Sequence, residues 1–285
     1  MTPLNPAPGA NADQSPEKSG LPSIINGSPA ALVVAHPGHE LRVYGWLCLA
    51  RPTIFILTDG SGHSGIGRLE ATTSLIEKAG AKPGCLYGRF TDIDIYTAVL
   101  DHKTHMFTDL AEELAGAFQD GEVRYVVGDA IEGYNPVHDI CRVVINSAVR
   151  LMRRRVDHEI NNFDFTLVDH PATTPSRSDR GQGINLRLNE ELHVRKLHAA
   201  TAYSELSGDV DQALASFGAE AFRIECLRPA TDGAASSASA LDEPPFYEHY
   251  GEKQVAAGYY RRVVRYREHM VPLFEALDHY VEQSV

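Results

Sequence analysis

Two histidines, His36 and His39, stand three residues apart in the stretch Val33-Val34-Ala35-His36-Pro37-Gly38-His39-Glu40. The apolar run from Ala31 to Val34 reads as a short buried strand, and the Pro-Gly turn that ends it carries both rings, with a carboxylate next door. Imidazoles at this spacing on a tight turn, rather than a helix, can converge on one ion, and borderline-soft metals such as zinc favour nitrogen ligands. Any single histidine here is more often a hydrogen-bonded turn residue than a ligand. The metal reading therefore requires a third ligand from elsewhere in the chain.

The elements that must supply it alternate between strand and helix. After the His36 turn, Leu41 to Ala50 reads as a short helix, and Pro52 to Thr58 as a nearly continuous apolar strand of the kind covered on both faces in a parallel sheet. A helix from Gly67 to Ala79 follows, closed by Gly80. Cys85 to Phe90 reads as a strand, Thr91 to Val99 as a loop or short helix, and Thr104 to Phe118 as an amphipathic helix with Phe107, Leu110, Leu114 and Phe118 on one face. Val123 to Val127 is a strand, a long helix runs from about Asp139 to Arg155, and Phe163 to Val168 is a further strand. Beyond it, Asn189 to Leu206 and Ala213 to Phe217 are helical by period and Ala221 to Leu227 is a short extended piece. Lys253 to Tyr280 reads as one long helix, broken or bent at Pro272.

Strands joined by helices form a parallel sheet with right-handed crossovers, so the carboxyl ends of the strands share one edge. His36 and His39, the Gly60 loop, His138 after the Val123 strand and, further along, His170 all fall on that edge. His138 is the choice for the third ligand. Three imidazoles with positions left open match a catalytic zinc site rather than a closed structural one.

The totals bound the function classes. A chain of 285 residues, 43% hydrophobic, supports one large α/β domain, and we assign 29–285 to it, with 1–28 as a disordered tail and 231–245 as a flexible loop. The formal charge of −12, with Arg153-Arg154-Arg155 the one basic run, argues against nucleic acid or an anionic membrane as partner, and for a small neutral or polar substrate. Cys48, Cys85, Cys141 and Cys226 form no framework and read as reduced core residues. No signal-peptide core or membrane-length apolar run is present, which implies a cytoplasmic protein.

Taken in order, these motifs resemble the PIG-L/LmbE family of metal-dependent de-N-acetylases. The family opens with a strand and Ala-His-Pro-Asp-Asp-Glu, here Ala35-His36-Pro37-Gly38-His39-Glu40. A strand ending in Thr before a Gly loop follows, here Thr58-Asp59-Gly60, then a helix with Arg and Glu near its start, here Arg68 and Glu70. Its second signature, His-Pro-Asp-His before a helix, is here Asn135-Pro136-Val137-His138. The similarity spans roughly Ala31 to Val168 and implies a Rossmann-like fold, a mostly parallel sheet with helices on both faces, followed here by a helical C-terminal region.

The resemblance also implies roles. The family's first His, second Asp and last His hold the metal, and the matching residues are His36, His39 and His138, all able to ligate. Its general base matches Gly38, which can do no proton chemistry, and the following Asp of the second signature matches Val137. The histidine that stabilises its tetrahedral intermediate matches Asn135, whose amide N–H can still meet a developing oxyanion. Three neutral imidazoles on zinc bring a bound water to a pKa of about 7, so such a site needs a base less. Glu40 and Asp139 flank ligands and are candidates to accept a proton, although a carboxylate beside a ligand more often orients an imidazole. Asp59 faces the same edge, and Arg68 is a candidate clamp for a hydroxyl-rich or anionic substrate.

The reading implied is a zinc-dependent hydrolase, with other divalent metals as alternatives, that removes acetyl groups from an amino sugar or related small molecule and possesses a possible homo-oligomeric state. A catalytically silent metal- or sugar-binding protein of the same fold is the alternative. Gly60-Ser61-Gly62-His63-Ser64-Gly65 spells GxGxxG and leaves a nucleotide-binding Rossmann protein as a third reading, although the glycines read first as a tight turn beside the site. Arg177 to Arg187 reads as a mobile loop over the rim, and Tyr259-Tyr260-Arg261-Arg262 as a half-buried face that packs onto the domain.

Overall fold

The computed structural model describes residues 27–62, 65–168, 170–171, 183–231 and 243–284. The expected tail up to residue 26, residues 232–242 of the expected loop and residues 177–182 of the expected mobile segment lie outside them. In chain order the elements are β1 (Ala30–Val34), α1 (Tyr44–Ala50), β2 (Thr53–Thr58), α2 (Leu69–Ala79), β3 (Lys82–Phe90), α3 (Asp92–Leu100), α4 (Thr104–Asp120), β4 (Tyr125–Asp129), α5 (Pro136–Arg153), β5 (Asn161–Phe165), β6 (Ile184–Arg187), α6 (Glu190–Thr201), α7 (Ser207–Phe217), β7 (Ile224–Pro229), α8 (Phe246–Ala256) and α9 (Val271–Gln283).

The strands form one sheet in the order β3-β2-β1-β4-β5-β7-β6, with β3 to β5 parallel and β7 and β6 antiparallel at the far edge. Successive side chains of a strand point to opposite faces, and β1 shows it directly. Ala31 and Val33 join a core with α3, α4, α5 and α9, while Ala30, Leu32 and Val34 join a second core with α1, α2 and residues of β6 and β7. The sheet is therefore a Rossmann-like α/β layer with helices on both faces, as its central strands, buried on both sides, require. No described helix is long and apolar enough to cross a membrane.

One open expectation is decided and others are corrected. The Thr91 to Val99 segment is a helix, fixed by a capping box between Thr91 and Asp94. The expected mobile segment contains β6, whose Ile184 and Leu186 are buried in alternation against β7. The single C-terminal helix is instead α8, a break through Gly258, which lies at φ 81°, a π-helical turn over Tyr266–Met270, and α9. Pro272 does not bend a helix but starts one, in the first turn where its missing N–H is not needed.

Two buried devices tie the layers together beneath the strand ends. The Glu225 carboxylate of β7 accepts the amides of Gly45 and Trp46 at the start of α1, at 2.8 and 2.7 Å, and pairs with buried Lys196 of α6 at 2.7 Å. Arg142 of α5, also buried, donates to the carbonyls of Asp129 and Phe163 and to Asn162 Oδ1, clamping β4 to β5. Gly128 leaves the space for this guanidinium, since a Cβ there would strike Val33 O and lie 2.8 Å from Arg142 Nη2.

Candidate metal centre

The turn after β1 is shaped by Gly38, at φ 104°, a conformation L side chains rarely adopt. A Cβ at this position would collide with Leu206 Cδ1 and sit 3.8 Å from Tyr203 Cζ. The place where the resemblance puts a catalytic Asp is thus occupied by Leu206, from the 3-10 turn Ser204–Leu206. The turn delivers His36 and His39, and the first turn of α5 delivers His138. Asn135 caps that helix, its Oδ1 accepting the Val137 amide at 2.8 Å, which leaves the side-chain NH2 as its remaining donor.

The three rings meet. Their centroids are 5.2 Å (His36 to His39), 5.0 Å (His36 to His138) and 4.5 Å (His39 to His138) apart, all edge-on. His36 Nδ1 donates to Asp92 Oδ1 at 2.8 Å, with Thr58 Oγ1 also at 2.8 Å, and His39 lies with its Nδ1 2.9 Å from Asp129 Oδ2. Donation from Nδ1 to a carboxylate puts the lone pair of each ring on Nε2. His36 Nε2 and His138 Nδ1 are buried with no hydrogen-bond partner.

Electrostatics favour the neutral form of His36 and His138. Burial lowers the pKa of His36 and lowers that of His138 further, with the neighbouring rings adding to the effect. Burial by itself would raise the Asp92 carboxyl, but it accepts from His36, from Thr58 at 2.6 Å and from the Gly62 amide, and these donors hold it well below the usual carboxylate range. Since burial favours neutral His36, we attribute the ionised state of Asp92 to its three donors rather than to an imidazolium.

Among the described residues no group of three or more His, Cys, Asp or Glu side chains is placed so that it could hold a metal ion as it stands. The fit can still be tested on the rings themselves. A tetrahedral ion about 2.0–2.1 Å from each nitrogen would set ring centroids about 5 Å apart. The observed spacings of 4.5 to 5.2 Å, two orphaned buried nitrogens and two carboxylate-oriented rings fit a divalent cation with nitrogen preference.

The other sequence candidates fall in different places. Glu40, fully buried, does not touch a ring nitrogen: it accepts the Gly38 amide at 2.8 Å and the Thr72 hydroxyl at 2.7 Å, locking the turn. Asp139 faces the loop after β4, accepting the amides of Glu132 at 3.1 Å and Gly133 at 3.3 Å. Asp59 accepts the Ser61 amide at 2.9 Å and closes the Gly60 turn. Arg68 lies over that turn, its Nη2 3.3 Å from Pro37 O and its Nε buried without a partner beside the ring-bearing segment. His170 is not with the other three rings and packs edge-on against Phe217.

Asp92, Asp129 and Thr58 are the site residues that sequence reasoning did not single out. The signal was present, because each stands at the carboxyl end of a parallel strand, at the same edge that selected His138.

Asp139 gives a prediction of its own. Burial pushes its carboxyl up to about 7, against an ordinary 3.8. The folded pKa lies above the unfolded one, so its contribution to stability is complete below pH 4 and is lost as pH rises through 7. Asp139→Asn keeps the Oδ1 acceptor and has no charge to bury. The metal-free variant is expected to exceed the wild type by a few kcal/mol at pH 8 and by nothing at pH 4, read from urea unfolding at each pH; a constant offset would refute this account.

No protein-family model matches the chain, and no curated protein matches it in sequence. Its fold does match solved structures. A zinc-inhibited form of the teicoplanin deacetylase Orf2 aligns at TM-score 0.51 and 12% identity, over 71% of this chain and 97% of that one. The A40926 pseudoaglycone deacetylase Dbv21 aligns at TM-score 0.51 and 17% identity, over the same 71% and 97%. At such identities the likeness is one of fold alone, shared with these two deacetylases.

Proposed function

We propose that this protein is a divalent-metal amide hydrolase of the de-N-acetylase type, acting on an N-acetylated amino sugar or a related small molecule, with His36, His39 and His138 as the protein ligands and zinc as the ion. The observation that carries it is the convergence of three imidazoles at 4.5 to 5.2 Å, two of them oriented by carboxylates. The shared fold with two deacetylases supports the reaction class, and the zinc-inhibited state of one of them supports a divalent ion.

When bound, zinc supplies a Lewis acid for the amide carbonyl and activation of water near neutral pH. The chain's own residues do the rest. Asp92 and Asp129 hold the Nδ1 protons of His36 and His39, so that both rings keep their lone pairs inward. The Asn135 amide donates to the oxygen on which charge develops, a role worth several kcal/mol when the donor is well placed. Arg68 Nε, already desolvated, pairs with a substrate hydroxyl or anionic group. Glu40 and Asp139 act through the turn and the loop they fix, and Asp59 through the Gly60 loop. Four free thiols suit a reducing, cytoplasmic setting.

The second reading, a silent binder, is favoured by one observation: position 38 has neither a carboxylate nor the room for one. The nucleotide reading finds less support. The Gly60, Ser61, Gly62 and Gly65 amides are all committed inward, to Thr58 Oγ1, Asp59, Asp92 and the Ser61 carbonyl, and are not offered to a phosphate.

Elemental analysis of the purified full chain, followed by amine release from a panel of N-acetyl hexosamines after loading with zinc, cobalt, iron or manganese, tests the proposal. One ion per chain and amine release that requires it are expected. Metal bound without amine release would favour the silent binder, and failure to take up any divalent ion would end both metal readings.

A further inference from the structure

An aromatic column stands at the start of α5, the helix whose first turn carries His138. Tyr134, one residue before the Asn135 cap, is stacked on Phe246 with centroids 4.9 Å apart and planes within 4°. Phe246 is in turn stacked on Tyr250 at 6.0 Å and 24°. All three are exposed, at 45%, 52% and 38%. The column is held in place: Gly133, at φ 64°, accepts the Tyr247 amide, which joins the loop after β4 to the start of α8. Tyr260 lies near enough to feel Tyr250 and Asp92, and its ring meets that of Tyr96 at 5.3 Å.

Nothing in packing requires these rings to face water together. Exposed contiguous apolar surface marks a place where something binds. Phe246 covers one face of Tyr134, and among the described residues it is the one ring stacked there. The end of a parallel stack offers a single flat face of one ring's size. It suits another flat ring, which extends the offset stack, and offers no groove for a flexible acyl chain. Its position matters equally, because an amino sugar whose acetamide reaches the imidazoles would put its next substituent at the residues just before Asn135.

We propose that the outer face of Tyr134, backed by Phe246 and Tyr250, is a stacking subsite for an aromatic ring that the substrate carries as the aglycone of its amino sugar. This deepens the hydrolase reading and rests on it only for which end of the ligand faces the imidazoles. The aromatic ring is bound, not transformed, and Tyr134 is a specificity residue.

Calorimetric titration of the full chain with the methyl, cyclohexyl and 4-nitrophenyl glycosides of N-acetylglucosamine tests this without turnover, and amine release is assayed separately. The aryl glycoside is expected to bind about three- to tenfold tighter than the methyl glycoside, with the cyclohexyl glycoside between them. Tyr134→Ala and Phe246→Ala should bring the aryl-to-methyl ratio to about one, while Tyr134→Phe keeps it. Aryl preference without any amine release would uphold the subsite and count against the hydrolase. A ratio near one in the wild type, a ratio unmoved by Tyr134→Ala, an equal gain from the cyclohexyl group, or no binding of the aryl glycoside at millimolar concentration would overturn the subsite, even if both compounds were deacetylated.

Discussion

His138→Ala is expected to lower zinc affinity and amine release each by about a thousandfold or more, while leaving the metal-free protein folded. His138 is the one ring of the trio that does not come from the β1 turn, so its removal leaves two ligands on a single loop and nothing to close the centre. The variant should not suffer for stability. His138 Nδ1 is buried with no partner and burial already holds the ring neutral, so the native state gives up little when this polar group is deleted from the start of α5. The comparison to make is zinc titration and amine release on one side and metal-free urea unfolding on the other. Retained turnover would remove His138 from the site. Collapse of the metal-free fold would mean that the ring is structural, and the proposal would lose its third ligand.

Asp129 carries the second large effect, and two variants separate its two tasks. Its Oδ2 accepts the Ala35 amide at 2.7 Å and holds His39 Nδ1 at 2.9 Å, and Asp129 itself is fully buried. One carboxylate thus fixes both the strand end from which the turn departs and the tautomer of a ligand on it. In Asp129→Ala the buried Ala35 N–H has no acceptor, an expected cost of about 1–3 kcal/mol, and His39 is free to rotate. In Asp129→Asn the carbonyl oxygen keeps the Ala35 bond but cannot also serve His39 with full charge. It should therefore fold nearly as well as the wild type and still lose about 10- to 100-fold in zinc affinity. Glu40→Gln is the control. Glu40 is as buried as Asp129 but bonds Gly38 and Thr72 and no ring nitrogen, so its substitution should change stability far more than zinc affinity. Equal zinc affinity in Asp129→Asn and the wild type would show that the His39 contact is incidental.

The departures from the family's motifs also become physically coherent. At position 38 the left-handed backbone and the Leu206 side chain leave no place for an acidic residue. Restoring it by Gly38→Asp would force that side chain against Leu206 and Tyr203, so the changed motif and the 3-10 turn that abuts it belong together.

The sequence by itself determined the centre of this protein to a surprising depth in one respect: which three histidines meet. Alternating apolar strands and amphipathic helices allow one parallel sheet, and a parallel sheet puts its strand exits on one edge, which brings His36, His39 and His138 to that edge; the same argument also put His170 there, and the resemblance of motifs is what singled out His138. The Thr104 to Phe118 helix and the central strands are legible for the same reason, since a buried face writes its period into the chain. Tertiary structure alone decided the partners of those rings. Asp92 lies 56 positions from His36 and Asp129 lies 90 from His39, whereas the acidic residues adjacent in sequence, Glu40 and Asp139, turn away to backbone amides of their own loops. An imidazole's tautomer is set by whichever carboxylate reaches its Nδ1, and that depends on which strand ends lie side by side. The antiparallel β6–β7 edge, the break between α8 and α9, and the aromatic column on Tyr134 were hidden for the same reason: each joins short segments distant in the chain, and local pattern carries no record of what a segment will meet.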